Sequence, residues 1–303
     1  MTLRQLEYLL AVAQTGSFTE AALRLHVSQP TLSQQVRALE AEVGGPLLDR
    51  SPGHVALTPA GRALAGDARA AVTSAQRALA AGRRAVRSAP ELLTLATVRS
   101  LAAAVLPATI KRWRELHPDV SIRLLEFASR ALVTEAVEDG RADLGIGPLP
   151  AEWSGARIEL GWEQLILVMP LGDPLAQAGH DLSLEALSGR RWVLYEEGHG
   201  LGEQAVQACR DAGFEPAAAV RTAQVEVAAR LAAAGIGPAL VPIKNVPPEL
   251  AQHVRGVDPP VSWRVWAYVT GAEFPRIAGA FADVLVEGPW QSRPFAGPVA
   301  AAQ

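Results

Sequence analysis

The sequence is short of several things, and each shortage removes a class of function. It has one cysteine, Cys209, so no internal disulfide can form. No apolar run reaches about 18 residues free of charge, so no membrane-spanning helix is expected. The stretch MTLRQLEYLLAVAQTGS at the start lacks a charged leader and a small-residue cleavage site. No signal peptide is therefore expected, and the expected compartment is the cytoplasm. There is no G-x-S-x-G elbow, no Walker loop and no His/Cys spacing suited to a metal, so neither enzyme activity nor a cofactor is expected. The glycine-rich GHGLG at 198–202 has the wrong spacing and context for a dinucleotide loop. The six histidines are scattered, which favours structural roles over ligation.

What is present describes a globular chain. Its 303 residues suggest two or three domains, and 49% apolar content gives room for a core. The net charge of −3 is unevenly spread. Residues 1–88 carry ten Arg against six acids, a net +4, whereas residues 89–303 carry 18 Lys/Arg against 25 acids, a net −7. A basic front on an acidic body suits a nucleic-acid reader joined to something else. Residues 1–60 alone are near neutral, with four Arg against five acids, so phosphate binding by one copy is weak.

The organising stretch is 18–37, FTEAALRLHVSQPTLSQQVR. It reads as two short helices joined by a tight turn at His26, a residue type that tolerates positive φ. Ser28 is a good N-cap for the second helix and Pro30 falls in its first turn. Leu32, Val36, Leu39 and Val43 recur at helical spacing as a buried stripe. Gln29, Pro30, Thr31, Ser33, Gln34 and Arg37 fall off it, and the polar side chains among them hydrogen-bond base edges and phosphates in a major groove. A helical hairpin with a merely solvated polar face is the alternative for this stretch taken alone.

Before it, residues 2–14 form a helix opened by a Thr2/Gln5 capping box, with Leu6, Leu9, Leu10 and Ala13 inward. Ser17 and Glu20 make a second box. After Gly44-Gly45, LLDRSPGHVALTPAG reads as a small hairpin turning at Ser51-Pro52-Gly53, with Arg50 and His54 flanking its tip. Thr58-Pro59 then opens a helix to about residue 87, roughly 29 residues and about 44 Å long. Leu64, Ala68, Val72, Ala75, Leu79 and Val86 give it a near-heptad apolar seam, so two copies of the chain are expected to pair through it.

From residue 92 short β-runs alternate with helices, which is α/β with a largely parallel sheet. The pattern runs through a helix at 100–117, VSIRLLEF, a helix at 129–140 and ADLGIG, then restarts at QLILVMP (164–170). It closes on a strand at 263–269 and a helix at 275–286 that returns to the first half. Two α/β lobes joined by two crossover strands leave a cleft, with ligands at the carboxyl ends of strands. The informative strand ends are Arg99-Ser100, Ala128-Ser129-Arg130, Gly147-Pro148, His199-Gly200 and Gln224-Val225. Ser100 and Ser129 also read as helix caps, and free amides there favour an anion.

With all three parts in view, the chain resembles the LysR-type transcriptional regulators. The most specific carrier is RQLEYLLAVAQTGSFTEAALRLHVSQPTLSQQVRALEAEVGGPLLDR…LTPAG, and AAGIGPALVP at 233–242 adds to it. The resemblance implies a winged helix-turn-helix DNA-binding domain at 1–58 and a linker and dimerisation helix at 59–88. It implies a two-lobed effector domain at 89–303 resembling type 2 periplasmic binding proteins, with lobe I about 89–162 and 268–303 and lobe II about 163–267. The implied DNA contacts are Gln29, Pro30, Thr31, Ser33, Gln34, Arg37, Arg50 and His54. The implied effector pocket takes Ser100, Ser129, Arg130, Gly147, His199, Gly200 and Val225, with a small anion as the expected effector. Double-stranded promoter DNA, a homodimer and a homotetramer are the implied partners, and RNA polymerase is a further candidate. A solute-binding protein or a cleft enzyme fits only the second half of the chain. One departure stands out: 196–213 resembles the redox segment of the peroxide-sensing member, yet Gly200 holds the position of the reactive cysteine and Cys209 that of its partner.

Overall fold

The computed structural model describes residues 1–51, 54–86, 91–177 and 181–290. The expected turn at Pro52-Gly53, the stop near Pro90 and the tail beyond 290 lie outside the described residues. The chain divides into two compact units, the first beginning at Met1 and the second at Leu92.

The first unit opens with α1 (Leu3–Thr15), α2 (Phe18–Arg24) and α3 (Gln29–Val43). The Thr2/Gln5 capping box is formed, and the Ser17 hydroxyl accepts from the Glu20 N–H. Ser28 accepts from the Thr31 N–H, Pro30 sits in the first turn, and α3 ends on Gly44 at φ 86°. His26 takes the turn between α2 and α3 with φ 54°. Leu6, Tyr8, Leu9 and Val12 of α1 pack on Ala21, Ala22, Leu32, Val36 and Leu39. This corrects two sequence readings. Leu10 and Ala13 are only half-buried, because the inner face of α1 is rotated toward Tyr8 and Val12. Val43 is 46% exposed, since the last turn of α3 runs past the core.

Strands β1 (Leu48–Ser51) and β2 (His54–Leu57) pair antiparallel as the wing. Glu40 of α3 anchors its base, accepting from the Leu47 and Leu48 N–H groups at 3.0 and 3.2 Å. Thr58 caps α4 (Pro59–Val86), accepting from the Gly61 N–H at 3.0 Å. Gly61 is required there: a Cβ would stand 2.1 Å from the Leu47 carbonyl oxygen. Ala68 and Val72 of α4 are buried in the core of the same unit, with Leu64 against it, whereas Leu79 is 57% exposed. The seam is therefore not continuous for pairing. Its first turns are consumed within the chain, because α2 and α3 leave part of α1 uncovered.

The second unit contains β3 (Glu91–Val98), α5 (Arg99–Ala104), α6 (Leu106–Leu116), β4 (Val120–Phe127), α7 (Arg130–Glu138) and β5 (Leu144–Gly147). These are followed by β6 (Arg157–Val168), β7 (Arg191–Tyr195), α8 (Gly200–Asp211), β8 (Ala217–Thr222) and α9 (Val225–Ala233). The chain ends through β9 (Ala239–Pro242), β10 (Val254–Arg255), β11 (Val261–Tyr268) and α10 (Arg276–Val286). The single helix expected over 100–117 is two. The chain breaks at Val105, where Pro107 in the first turn of α6 has no N–H to continue the α5 ladder.

A seven-stranded sheet runs β10-β6-β11-β5-β3-β4, with β9 also on β6; β7 and β8 form a separate parallel pair. The expectation of a largely parallel sheet holds for β3–β5 and β7–β8, whereas β6 pairs antiparallel with β9, β10 and β11, and β11 antiparallel with β5. β6 and β11 pair antiparallel with each other, because one carries the chain out of the first lobe and the other brings it back alongside. The expected lobe boundaries at 162/163 and 267/268 fall inside these two strands. One core gathers Leu93, Leu95, Leu101, Trp113, Leu144 and Ile146 with Phe281 and Leu285 of α10, so α10 does return to the first lobe. The other gathers Leu165, Ile166, Leu167 and Val168 of β6, and Met169 just after it, with Trp192, Leu194, Cys209, Ala228 and Leu240. Trp263 touches both.

Candidate functional site

The first candidate is the outer face of α3. Gln29, Pro30, Thr31, Gln34 and Arg37 are exposed and Ser33 is half-buried. The Thr31 hydroxyl lies 2.7 Å from that of Ser28, so Thr31 is partly committed to the cap. No acid occupies the first turn of α3, which keeps its free amides open to a phosphate. Glu40, the acid three residues beyond Arg37, is turned inward to the base of the wing. The side chains of Arg50 and His54 lie outside the described residues.

The second candidate lies between the lobes of the second unit, where α5, α7 and α8 begin close together. The Gly200 N–H of the second lobe donates to the Ala128 carbonyl of the first at 2.9 Å. A Cβ on Gly200 would meet the Ser129 Cα at 3.5 Å, so backbone faces backbone across the junction. Beside it is a cavity of about 30 Å³ lined by Arg99, Ser100, Arg130, His199, Gly200 and Gln204, among others. That volume holds about one water molecule.

His199 is the most informative residue in it. It is 5% exposed, stacks on Tyr195 at 4.8 Å between ring centroids, and caps α8 by accepting from the Leu201 N–H through Nδ1. Burial, and then the Arg99 charge, lowers its pKa, so the ring is neutral at pH 7. With Nδ1 accepting, the proton sits on Nε2, which has no hydrogen-bond partner among the described residues. Gln204 Oε1 is likewise buried without a partner.

The residues carried over from sequence do not form one constellation. Ser100, Arg130, His199 and Gly200 line this cavity. Val225 lines a second one, of about 570 Å³, which Ser100 shares. Ser129 and Gly147 are on neither wall, although Gly147's neighbour Pro148 is on the first. Ser100 is buried, but it does not cap α5: Val98 holds that position and makes no side-chain cap. The cap position lies two residues earlier than the sequence implied, so Ser100 falls inside the first turn of α5. Sequence reasoning missed Gln204, Trp263, Lys244 and Asn245. Only Gln204, one helical turn after Gly200, carried a signal.

Comparison with known proteins decides what these two faces belong to. The family model described as "Bacterial regulatory helix-turn-helix protein, lysR family" matches residues 3–62, and that described as "LysR substrate binding domain" matches residues 87–289. The chain belongs to the LysR family. As a LysR-type protein it is a DNA-binding transcriptional regulator with an effector-binding domain. It is 30% identical to the probable cat1 operon transcriptional activator of Acinetobacter lwoffii, over 85% of this chain and 86% of that one. It is 32% identical to the DNA-binding transcriptional dual regulator OxyR of Escherichia coli, over 82% and 81%. Among solved structures it is similar to full-length CbnR complexed with its target DNA, with a TM-score of 0.58 and 25% identity over 95% of this chain and 99% of that one. Unlike a dithiol sensor, this LysR-type chain has one cysteine, Cys209, which is fully buried in the second lobe.

Proposed function

We propose that this LysR-type regulator binds a small anion, most simply a carboxylate, at the junction of α5, α7 and α8, and that occupancy changes how it holds promoter DNA. The observation that carries the reading is the buried Nε2–H of His199, a donor without a partner among the described residues, in a cavity that Arg99 and Arg130 also line. A carboxylate would satisfy that donor with a charge-assisted bond, whereas an apolar effector would leave it unpaired. A cavity of about 30 Å³ is too small for a metabolite, so the lobes must part for one to enter. Binding then favours one hinge angle over another, and the effector must discriminate between the two arrangements or nothing shifts.

On this reading residues 1–58 read DNA through α3 and the wing, residues 59–88 pair two chains, and 89–303 hold the effector. The regulator works in the cytoplasm as a homodimer assembled into a homotetramer, without enzymatic activity, and with RNA polymerase as a further partner at the promoter. The test is calorimetry on the full chain with a panel of metabolic carboxylates, alongside Ser100→Ala, Ser129→Ala and His199→Phe. Binding that His199→Phe weakens at least tenfold supports the reading. Binders that are all neutral or cationic, or variants that all bind as wild type does, contradict it.

A further inference from the structure

Three consecutive residues tie the two lobes of the second unit together. They form the turn Ile243–Asn245, which follows β9. Ile243 packs against the second-lobe core. Lys244 reaches the first lobe, with its Nζ 4.8 Å from the centre of the Trp290 ring. Trp290 is fixed there, since it packs on the first-lobe core and its Nε1 donates to the Leu285 carbonyl at 2.6 Å. Asn245 Nδ2 donates to the carbonyl of Ser100, in α5 of the first lobe, at 3.0 Å. For the lobes to part here, both contacts must break.

Lys244 has a second partner, on a strand that joins the lobes. Its Nζ lies 3.6 Å from Oε2 of Glu163 in β6, and the two side chains are 15% and 1% exposed. That is too long for a hydrogen bond, and neither Glu163 oxygen has a hydrogen-bond partner among the described residues. Charge is therefore what holds the pair. Burial raises the Glu163 carboxyl above its ordinary value, and Lys244 is the charge that opposes this. Across the ladder from Glu163 stands the neutral Trp263, and the neighbouring Arg264 is held by Glu159 and the Trp162 ring. Arg99 and Glu126 line the cavity that Lys244 also lines, and Arg230 on the same wall is paired with Glu226 and Glu249.

We infer that Ile243–Asn245 is a latch between the lobes, and that a proton on Glu163 releases it. With Glu163 ionised, Lys244 is a buried cation with an anion beside it, and it stays over the Trp290 ring. With Glu163 neutral, only the ring is left, and a buried charge without a counter-charge is strongly disfavoured. Lys244 then turns into the cavity that it lines, toward water, and takes the turn with it. The linkage has one sign. In the latched state Lys244 attracts the ionised carboxylate and so weakens its hold on a proton. Release removes that attraction, so the released state binds the proton more tightly and acid favours release. The latch asks nothing of an anion beside His199 and operates in the ligand-free chain.

The experiment is hydrogen exchange on the ligand-free full chain, read amide by amide by mass spectrometry and corrected for the intrinsic pH dependence of exchange. The reporter is the Gly200 N–H, which bonds across the lobes to the Ala128 carbonyl and is freed when they part. The β6–β9 ladder reports unfolding of the second lobe as a whole. From pH 7.5 to 5.0, protection of Gly200 in wild type should fall at least fivefold while the ladder keeps its protection. Glu163→Gln, which is neutral at every pH, should exchange at Gly200 at least fivefold faster than wild type at pH 7.5 and change no further on acidification. Trp290→Leu should also speed Gly200 at pH 7.5. If Glu163→Gln unfolds, as faster ladder exchange would show, the double variant with Lys244→Met decides, since it leaves no buried charge: Gly200 should be fast in it and independent of pH. The inference is overturned if wild-type protection does not change with pH, or if the folded variant protects Gly200 as wild type does at pH 7.5. A pH response that survives in it belongs to His199, next to the reporter, and overturns the inference too.

Discussion

Leu79 offers the sharpest test of the proposed pairing of two chains through α4. It lies well beyond the turns of α4 that the first unit's own core consumes, and 57% of its surface is open. Full burial of a leucine side chain is worth about 1.5–3 kcal/mol. Scaled by the open fraction, Leu79→Ala removes about 1–1.5 kcal/mol per copy, or about 2–3 kcal/mol from a symmetric pair. That corresponds to a dimer about 30- to 150-fold weaker. Leu79→Glu places like charges against each other as well, and should give monomer at concentrations where wild type is paired. Ala68→Ser, within the chain's own core, should lower the melting temperature without changing assembly. Sedimentation equilibrium across a hundredfold range of protein concentration measures the dissociation constant, and circular dichroism confirms that the variants fold. If both Leu79 variants assemble as wild type does, the seam lies elsewhere and the reasoning from exposure is wrong.

Burial pushes the Glu163 carboxyl above the usual range for a glutamate, and Lys244 only partly opposes this. The folded chain therefore holds that proton more tightly than the unfolded chain, so Glu163 adds stability as pH falls toward 4.5, its ordinary value. Melting curves from pH 7.5 to 4.5 should show wild type gaining on Glu163→Gln as the solution is acidified, and a constant difference refutes this. Cys209 is fully buried and its thiol is pushed up to about 12, so thiolate is scarce at neutral pH. Iodoacetamide should label it only after denaturant is added, and rapid labelling of the native chain at pH 7.5 contradicts the burial. Cys209→Ser should destabilise by about 1–3 kcal/mol in urea, by placing a hydroxyl among apolar neighbours.

Much of the fold was legible because local signals were strong. Ser28, Pro30 and Gly44 bracket α3 at both ends. Failures followed where a local pattern was interrupted. Glu159, Gly161 and Glu163 break the apolar run of β6, so only its second half, from Gln164, was visible. Pro107 split a helix whose periodicity looked continuous. The candidate sites were legible as strand ends, but not as cavities. Whether Ser100 and Val225 share a wall, or Lys244 meets Glu163, depends on contacts between residues far apart in sequence. The α3 face was the exception, since a single helix carries it.

The central claim, that the outer face of α3 reads DNA sequence, is tested by selecting binding sites from a random duplex pool with the full chain. The affinity of the selected site is then compared with that of a scrambled one at fixed salt. Wild type should prefer its selected site by about 10³-fold or more. Ser33→Ala and Gln34→Ala should each lose about 1–3 kcal/mol of that preference while keeping non-specific binding. A pool that yields no enriched sequence, or a preference unchanged in both variants, would contradict the account.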